Sequence, residues 1–117
     1  MTNAARGLEA EDTACAALVR DGFAILARRR RTPAGEIDVV AATATLLVFV
    51  EVKRRADLAA AAAALGRRQQ SRLLAAAACV LAECPGWARA DIRFDVILVD
   101  DAGRVRRVAD AFRHMAP

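Results

Sequence analysis

The segment Leu46-Leu47-Val48-Phe49-Val50-Glu51-Val52-Lys53 constrains the fold more than any other part of the chain. It is rich in β-branched and aromatic residues, as a central buried strand requires. Side chains alternate along a strand, so Glu51 and Lys53 share one face with Leu47 and Phe49, while Val48, Val50 and Val52 pack on the other. A polar pair therefore emerges from one end of an apolar strand.

Upstream, Thr32-Pro33-Ala34-Gly35 has turn composition, and Glu36-Ile37-Asp38-Val39-Val40 alternates like a strand with one polar face. Residues 41–45 are the next break. A hairpin closed by a four-residue loop from Thr43 to Leu46 sets Asp38 directly opposite Glu51, on the same face. A loop two residues longer or shorter keeps Asp38 on that face, whereas a one-residue bulge flips it away.

The flanking segments supply helices. Leu8, Glu11, Cys15, Leu18 and Val19 recur at spacings of three and four, which predicts a helix from Ala4 to Arg20, ended by Asp21-Gly22. Glu11 lies on its apolar stripe. A carboxylate facing a core is costly unless paired, hydrogen-bonded or bound to a cation; otherwise the apolar face ends there and Glu11 is exposed. Phe23 to Arg28 predicts a short strand. The Ala-rich stretch from Ala56 to Ala64 suits either a helix or a loop. Leu65, Leu73, Leu74, Val80 and Leu81, with Ala between, predict a second helix over Leu65 to Glu83, stopped by Pro85-Gly86. Ile92 to Val99 follows as a strand, Asp100-Asp101-Ala102-Gly103 as a turn and Arg104 to Val108 as a short edge strand, with a helical turn in the tail from Asp110 to Met115.

A chain of 117 residues suits one domain over residues 1–117, with one core and one site. With 56% apolar but 4% aromatic residues, that core is filled by Ala, Val, Leu and Ile. No run approaches the roughly eighteen uncharged apolar residues of a membrane span, and the acidic turn of the N-terminal dozen residues argues against a secretory signal. A cytoplasmic protein with no membrane partner is expected. Three cysteines, Cys15, Cys79 and Cys84, and a single His, His114, point to reduced thiols and against a zinc centre.

The formal net charge of +4 favours anionic partners, nucleic acid first. Basic residues cluster at Arg28 to Arg31, at Lys53-Arg54-Arg55 and at Arg67-Arg68 with Arg72; as bare charge runs these would be solvated surface patches. Seventeen of the eighteen basic residues are Arg, so Lys53 stands out. A compact ammonium whose pKa responds to its surroundings does chemistry that a guanidinium fork does not.

Asp38 together with Glu51-Val52-Lys53 carries that chemistry. Two carboxylates converging at a strand end repel one another unless a cation lies between them, and hard oxygen ligands select Mg²⁺ or Mn²⁺. Such an ion polarises a phosphodiester, and Lys53 on the same face orients a water or neutralises charge building on the phosphate. Glu11, from the helix packed behind, is a candidate for a further metal carboxylate.

Gly35-Glu36-Ile37-Asp38 followed by Phe49-Val50-Glu51-Val52-Lys53-Arg54 resembles the YraN family, small bacterial proteins similar to the archaeal Holliday-junction resolvases of the PD-(D/E)xK nuclease superfamily. The likeness extends to Glu11 with Ala14, Gly22-Phe23 with Ile25-Leu26, the helix from Leu73 to Leu81, Arg93-Phe94-Asp95-Val96 and Ala111-Phe112. It implies an α/β, restriction-endonuclease-like three-layer core, a mixed β-sheet flanked by α-helices in the order α-β-β-β-α-β, with a metal site at the open end of the sheet. It also implies that Asp38, Glu51 and Lys53 form a nuclease triad with Glu11 as accessory acid. The chain departs from the family at Arg29, where Asn is usual, and at Gln69-Gln70, where a Lys-Gln pair is common. By the same resemblance Gln70 is a candidate to reach the site, and Arg29, Arg31, Arg54, Arg55, Arg67, Arg68 and Arg72 are candidates to hold phosphates.

These expectations describe a Mg²⁺- or Mn²⁺-dependent endonuclease acting on DNA, including branched or damaged forms, and working as a homodimer where two strands are cut. The competing expectation is a non-catalytic nucleic-acid-binding or protein-interaction module that keeps the fold. The scarcity of aromatic residues for base stacking speaks for it.

Overall fold

The computed structural model of the chain describes residues 3–56 and 66–112. Its elements are α1 (Asn3–Arg20), β1 (Ala24–Thr32), β2 (Gly35–Ala42), β3 (Leu46–Arg54), α2 (Arg67–Glu83), a 3-10 turn (Pro85–Trp87), β4 (Asp91–Val99) and β5 (Val105–Phe112). The strands form one sheet in the order β1-β2-β3-β4-β5. Three of the pairings are antiparallel, and β3 with β4 is parallel, a geometry that needs a crossover connection; α2 lies in it.

The apolar run of β3 is divided as its alternation predicts. Val48 and Val50 pack with Ala10, Ala14 and Leu18 of α1, while Leu47 and Phe49 pack with Leu73, Ala76, Ala77 and Val80 of α2. Phe49 stacks on Phe94 of β4 with ring centroids 5.5 Å apart. Helix, mixed sheet and helix make the three-layer α/β core of the restriction-endonuclease type. Each buried Val or Leu contributes about 1.5–3 kcal/mol relative to exposure, so truncating Val50 at the centre of the sheet is a direct way to loosen the packing of α1 on it.

The turns follow local chemistry. Gly22 takes φ +94° at the end of α1, and the amide of Phe23 returns to the carbonyl of Leu18. In the β2–β3 connection the Thr43 amide donates to the Leu46 carbonyl at 2.8 Å, and the Thr43 hydroxyl accepts from the Leu46 amide. The resulting register pairs Val39 with Val50 and Ala42 with Leu47, the alignment that sets Asp38 level with Glu51.

Several expectations are corrected. β1 runs through the arginine cluster to Thr32, because carboxylates from elsewhere neutralise it: Asp12 takes Arg28, Glu11 takes Arg29 and Glu83 takes Arg30. β2 has no polar face over its second half. Val39, Val40, Ala41 and Ala42 are all buried, since α1 covers one side and α2 the other. Strand β5 continues through Phe112, where a helical turn was expected from Asp110. Most of the Ala-rich stretch, residues 57–65, lies outside the described residues, as do residues 113–117. Cys15, Cys79 and Cys84 are free thiols. No described helix is long and apolar enough to cross a membrane.

Candidate active site

The ladder between β2 and β3 ends at Val39 and Val50, while β3 continues against β4 to Arg54 and Val99. β2 and β3 thus part, and the fork leaves strand amides without a ladder acceptor. Asp38 fills one vacancy: its Oδ2 accepts from the Val52 amide at 2.8 Å. Glu51 is buried on the α2 side of the fork, where its Oε1 accepts from Gln69 Nε2 at 2.8 Å and lies 3.4 Å from Lys53 Nζ. The Lys53 side chain is itself mostly buried. Asp38, Glu51 and Lys53 are therefore brought together.

Two acids this close carry an electrostatic cost. Burial pushes Asp38 up to about 7, helped by the charge of Glu51, a hydrogen bond to Glu51 and the more distant charge of Glu36; the bond from Val52 opposes the shift. Near neutrality the pair is poised to hold a proton or, in its place, a cation. Hard carboxylate oxygens beside a Lys suit Mg²⁺ or Mn²⁺ in donor type, with Asp38 and Glu51 as the residues that would hold it. The fit is to two protein carboxylates: among the described residues no three His, Cys, Asp or Glu converge.

Glu11 accounts for the missing third. It is buried as the stripe predicts, but α1 packs on the opposite face of the sheet from α2, and both carboxylate oxygens accept from Arg29 Nε at 3.0 and 3.1 Å. The Arg28 guanidinium lies 3.8 Å away. Arg29 falls between the pairs Arg28 with Val39 and Arg30 with Ile37, level with Asp38. Its φ of +50° is strained for a residue with a Cβ, and the pairing with β2 continues in register on either side of it. β2 is irregular at this level, where Ile37 and Val40 both face α2 although three residues apart.

The other basic candidates ring the fork at different depths. The Arg31 side chain is almost fully exposed, 3.8 Å from Glu36. Arg54 pairs with Asp101 at 2.6 Å, and Arg55 donates to the carbonyl of Arg54. Arg67 and Arg68 are exposed in the first turn of α2. The aliphatic stem of Arg72 crosses Gly35 so closely that a Cβ there would sit 3.0 Å from its Cδ. Gln70 is half-buried, and its neighbour Gln69 donates to Glu51. Helical spacing held the signal, because Gln69 stands one turn before buried Leu73 and on the stripe of Ala76 and Val80.

A model of the uncharacterised protein family UPF0102 matches residues 10–99, a span that includes Glu11, Asp38, Glu51, Lys53 and Gln69. A UPF0102 protein of Granulibacter bethesdensis is 58% identical over 107 residues, covering 92% of this chain and 68% of the relative. Those of Acidiphilium cryptum and Azorhizobium caulinodans are 50% and 51% identical, covering 92% of this chain and 84% and 82% of their own lengths. The chain belongs to the UPF0102 family, which is the YraN family of the sequence resemblance. Family and fold together relate it to the PD-(D/E)xK nucleases.

Proposed function

We propose that the protein is a Mg²⁺- or Mn²⁺-dependent nuclease that hydrolyses phosphodiester bonds in DNA. The observation that carries this reading is the meeting of Asp38 and Glu51 beside Lys53 at the fork between β2 and β3. Asp38 and Glu51 are the residues to hold the cation, which when bound supplies Lewis acidity toward the phosphate. The Lys53 ammonium orients the attacking water or balances charge on the phosphoryl oxygens. Gln69 fixes the Glu51 carboxylate through its bond to Oε1. Arg31, Arg67, Arg68 and Arg72, with Arg54 and Arg55, are proposed to hold phosphates on either side. Glu11 is assigned to Arg29 and not to the cation. Cleavage of both strands of a duplex or junction takes two copies of the site, for which a homodimer is the economical arrangement.

Titration calorimetry with Mn²⁺, paired with cleavage of labelled duplex, flapped and branched DNA, tests this. Asp38→Asn and Glu51→Gln are expected to abolish both cation uptake and cutting, and Lys53→Ala to abolish cutting while cation uptake persists. One observation favours the second reading, a binding module without catalysis: the carboxylate pair lacks a third acid among the described residues. Salt-sensitive DNA binding by a wild type that takes up no Mn²⁺ and cuts nothing establishes that reading instead.

A further inference from the structure

The β4–β5 hairpin carries basic residues outside the clusters considered so far. Its turn is rigid: Asp100, buried, accepts from the amides of Ala102 and Arg104 and from Arg104 Nε. Beyond it, Val105 packs into the core on the α1 side, so the next residue, Arg106, stands on the other face. The ladders locate it further. Arg106 pairs with Leu98, and Leu98 pairs with Lys53, so Lys53, Leu98 and Arg106 form one row across three strands on the face that carries Glu51.

We propose that Arg106 is a phosphate-binding residue that extends the DNA track from the catalytic fork onto the β4–β5 hairpin, an inference that rests on the nuclease reading. Two strand spacings separate it from Lys53, about 10 Å, which reaches a phosphate within about three positions of the one at the fork. Arg28, Arg29, Arg30, Arg93, Arg104 and Arg107, none of them in the proposed track, are each paired with a carboxylate. Arg106 is exposed and has no ion pair or hydrogen bond among the described residues. A guanidinium left unneutralised beside the site and fixed by a rigid turn fits an anion brought by the substrate. The competing role is protection of an edge strand, for which a charged residue also serves.

The two roles separate by fluorescence anisotropy of a labelled DNA duplex titrated with the full chain in EDTA, so that binding is read without cutting. Arg106→Gln is expected to weaken Kd several-fold and to make the slope of log K against log salt shallower by about 0.9. Arg106→Lys is expected to restore the slope, and Arg20→Gln, in the helix that covers the opposite face of the sheet, to leave both quantities at wild-type values. Unchanged Kd and slope in Arg106→Gln, with or without a shift to larger oligomers, overturn the proposal while the nuclease reading stands. A wild type that binds no DNA overturns both.

Discussion

Gln69 and Glu51 join two distant parts of the chain: the first turn of α2 donates to the carboxylate at the end of β3 at 2.8 Å. The helix thereby sets which way the acid faces. It also compensates the burial of a charge that Lys53 alone, at 3.4 Å, balances less tightly.

Removing that donor exposes its role. Gln69→Ala leaves a buried carboxylate short of one charge-assisted hydrogen bond, a loss of about 1.5–3 kcal/mol in urea unfolding without metal. Gln69→Glu places a third carboxylate beside the pair and is expected to lower the melting temperature further, yet to gain more from added Mn²⁺ than wild type does. Equal Mn²⁺ shifts in the two proteins count against a cation at Asp38 and Glu51.

Asp38 makes stability depend on pH. Its proton affinity is raised on folding, to about 7 from the usual carboxylate value, mainly by burial. The stabilising contribution of the protonated form is complete below about pH 4 and is lost as pH rises through 7, a change of at most about 4 kcal/mol. Asp38→Asn keeps an oxygen for the Val52 amide and removes the titration. In EDTA the variant is expected to melt above wild type at pH 8, with the difference disappearing at pH 4.

The strand that carries Glu51 and Lys53 was legible because period-two alternation is a local property, and a four-residue connection was enough to align Asp38 with Glu51. Less legible was anything decided by partners far along the chain. The arginines of β1 read as a solvated run until Asp12, Glu11 and Glu83 are found against them. Glu11 was recognisable as a buried acid on its stripe, but the choice between cation and Arg29 depends on which face of the sheet α1 covers. The place of Gln69 against Glu51 depends on where α2 starts, and with that start unknown its helical phase was not available.

Gly35 joins the fold to the phosphate track. Its φ of +139° is one that residues with a Cβ rarely adopt, and the stem of Arg72 occupies the space a methyl group would need. Gly35→Ala is expected to cost about 1–3 kcal/mol in denaturant and, by displacing Arg72, to weaken DNA binding in anisotropy. Arg72→Gln should reproduce the binding loss without the full stability loss. If Gly35→Ala destabilises but binds DNA as wild type does, Arg72 is not a phosphate contact.

Glu11 offers the sharpest division between a structural and a catalytic acid. Its carboxylate accepts twice from Arg29 and faces the layer opposite α2, whereas Asp38 and Glu51 meet at the fork. Glu11→Gln removes the charge that holds Arg29 in its strained backbone conformation, and a loss of about 1–3 kcal/mol is expected. Cation affinity should be untouched, because neither proposed ligand loses a partner. Calorimetry with Mn²⁺ on Glu11→Gln and on Asp38→Asn, each checked by melting, resolves the two roles. Loss of Mn²⁺ uptake in a folded Glu11→Gln protein returns Glu11 to the ligand set and requires α1 to bring its carboxylate around to the fork when the cation binds.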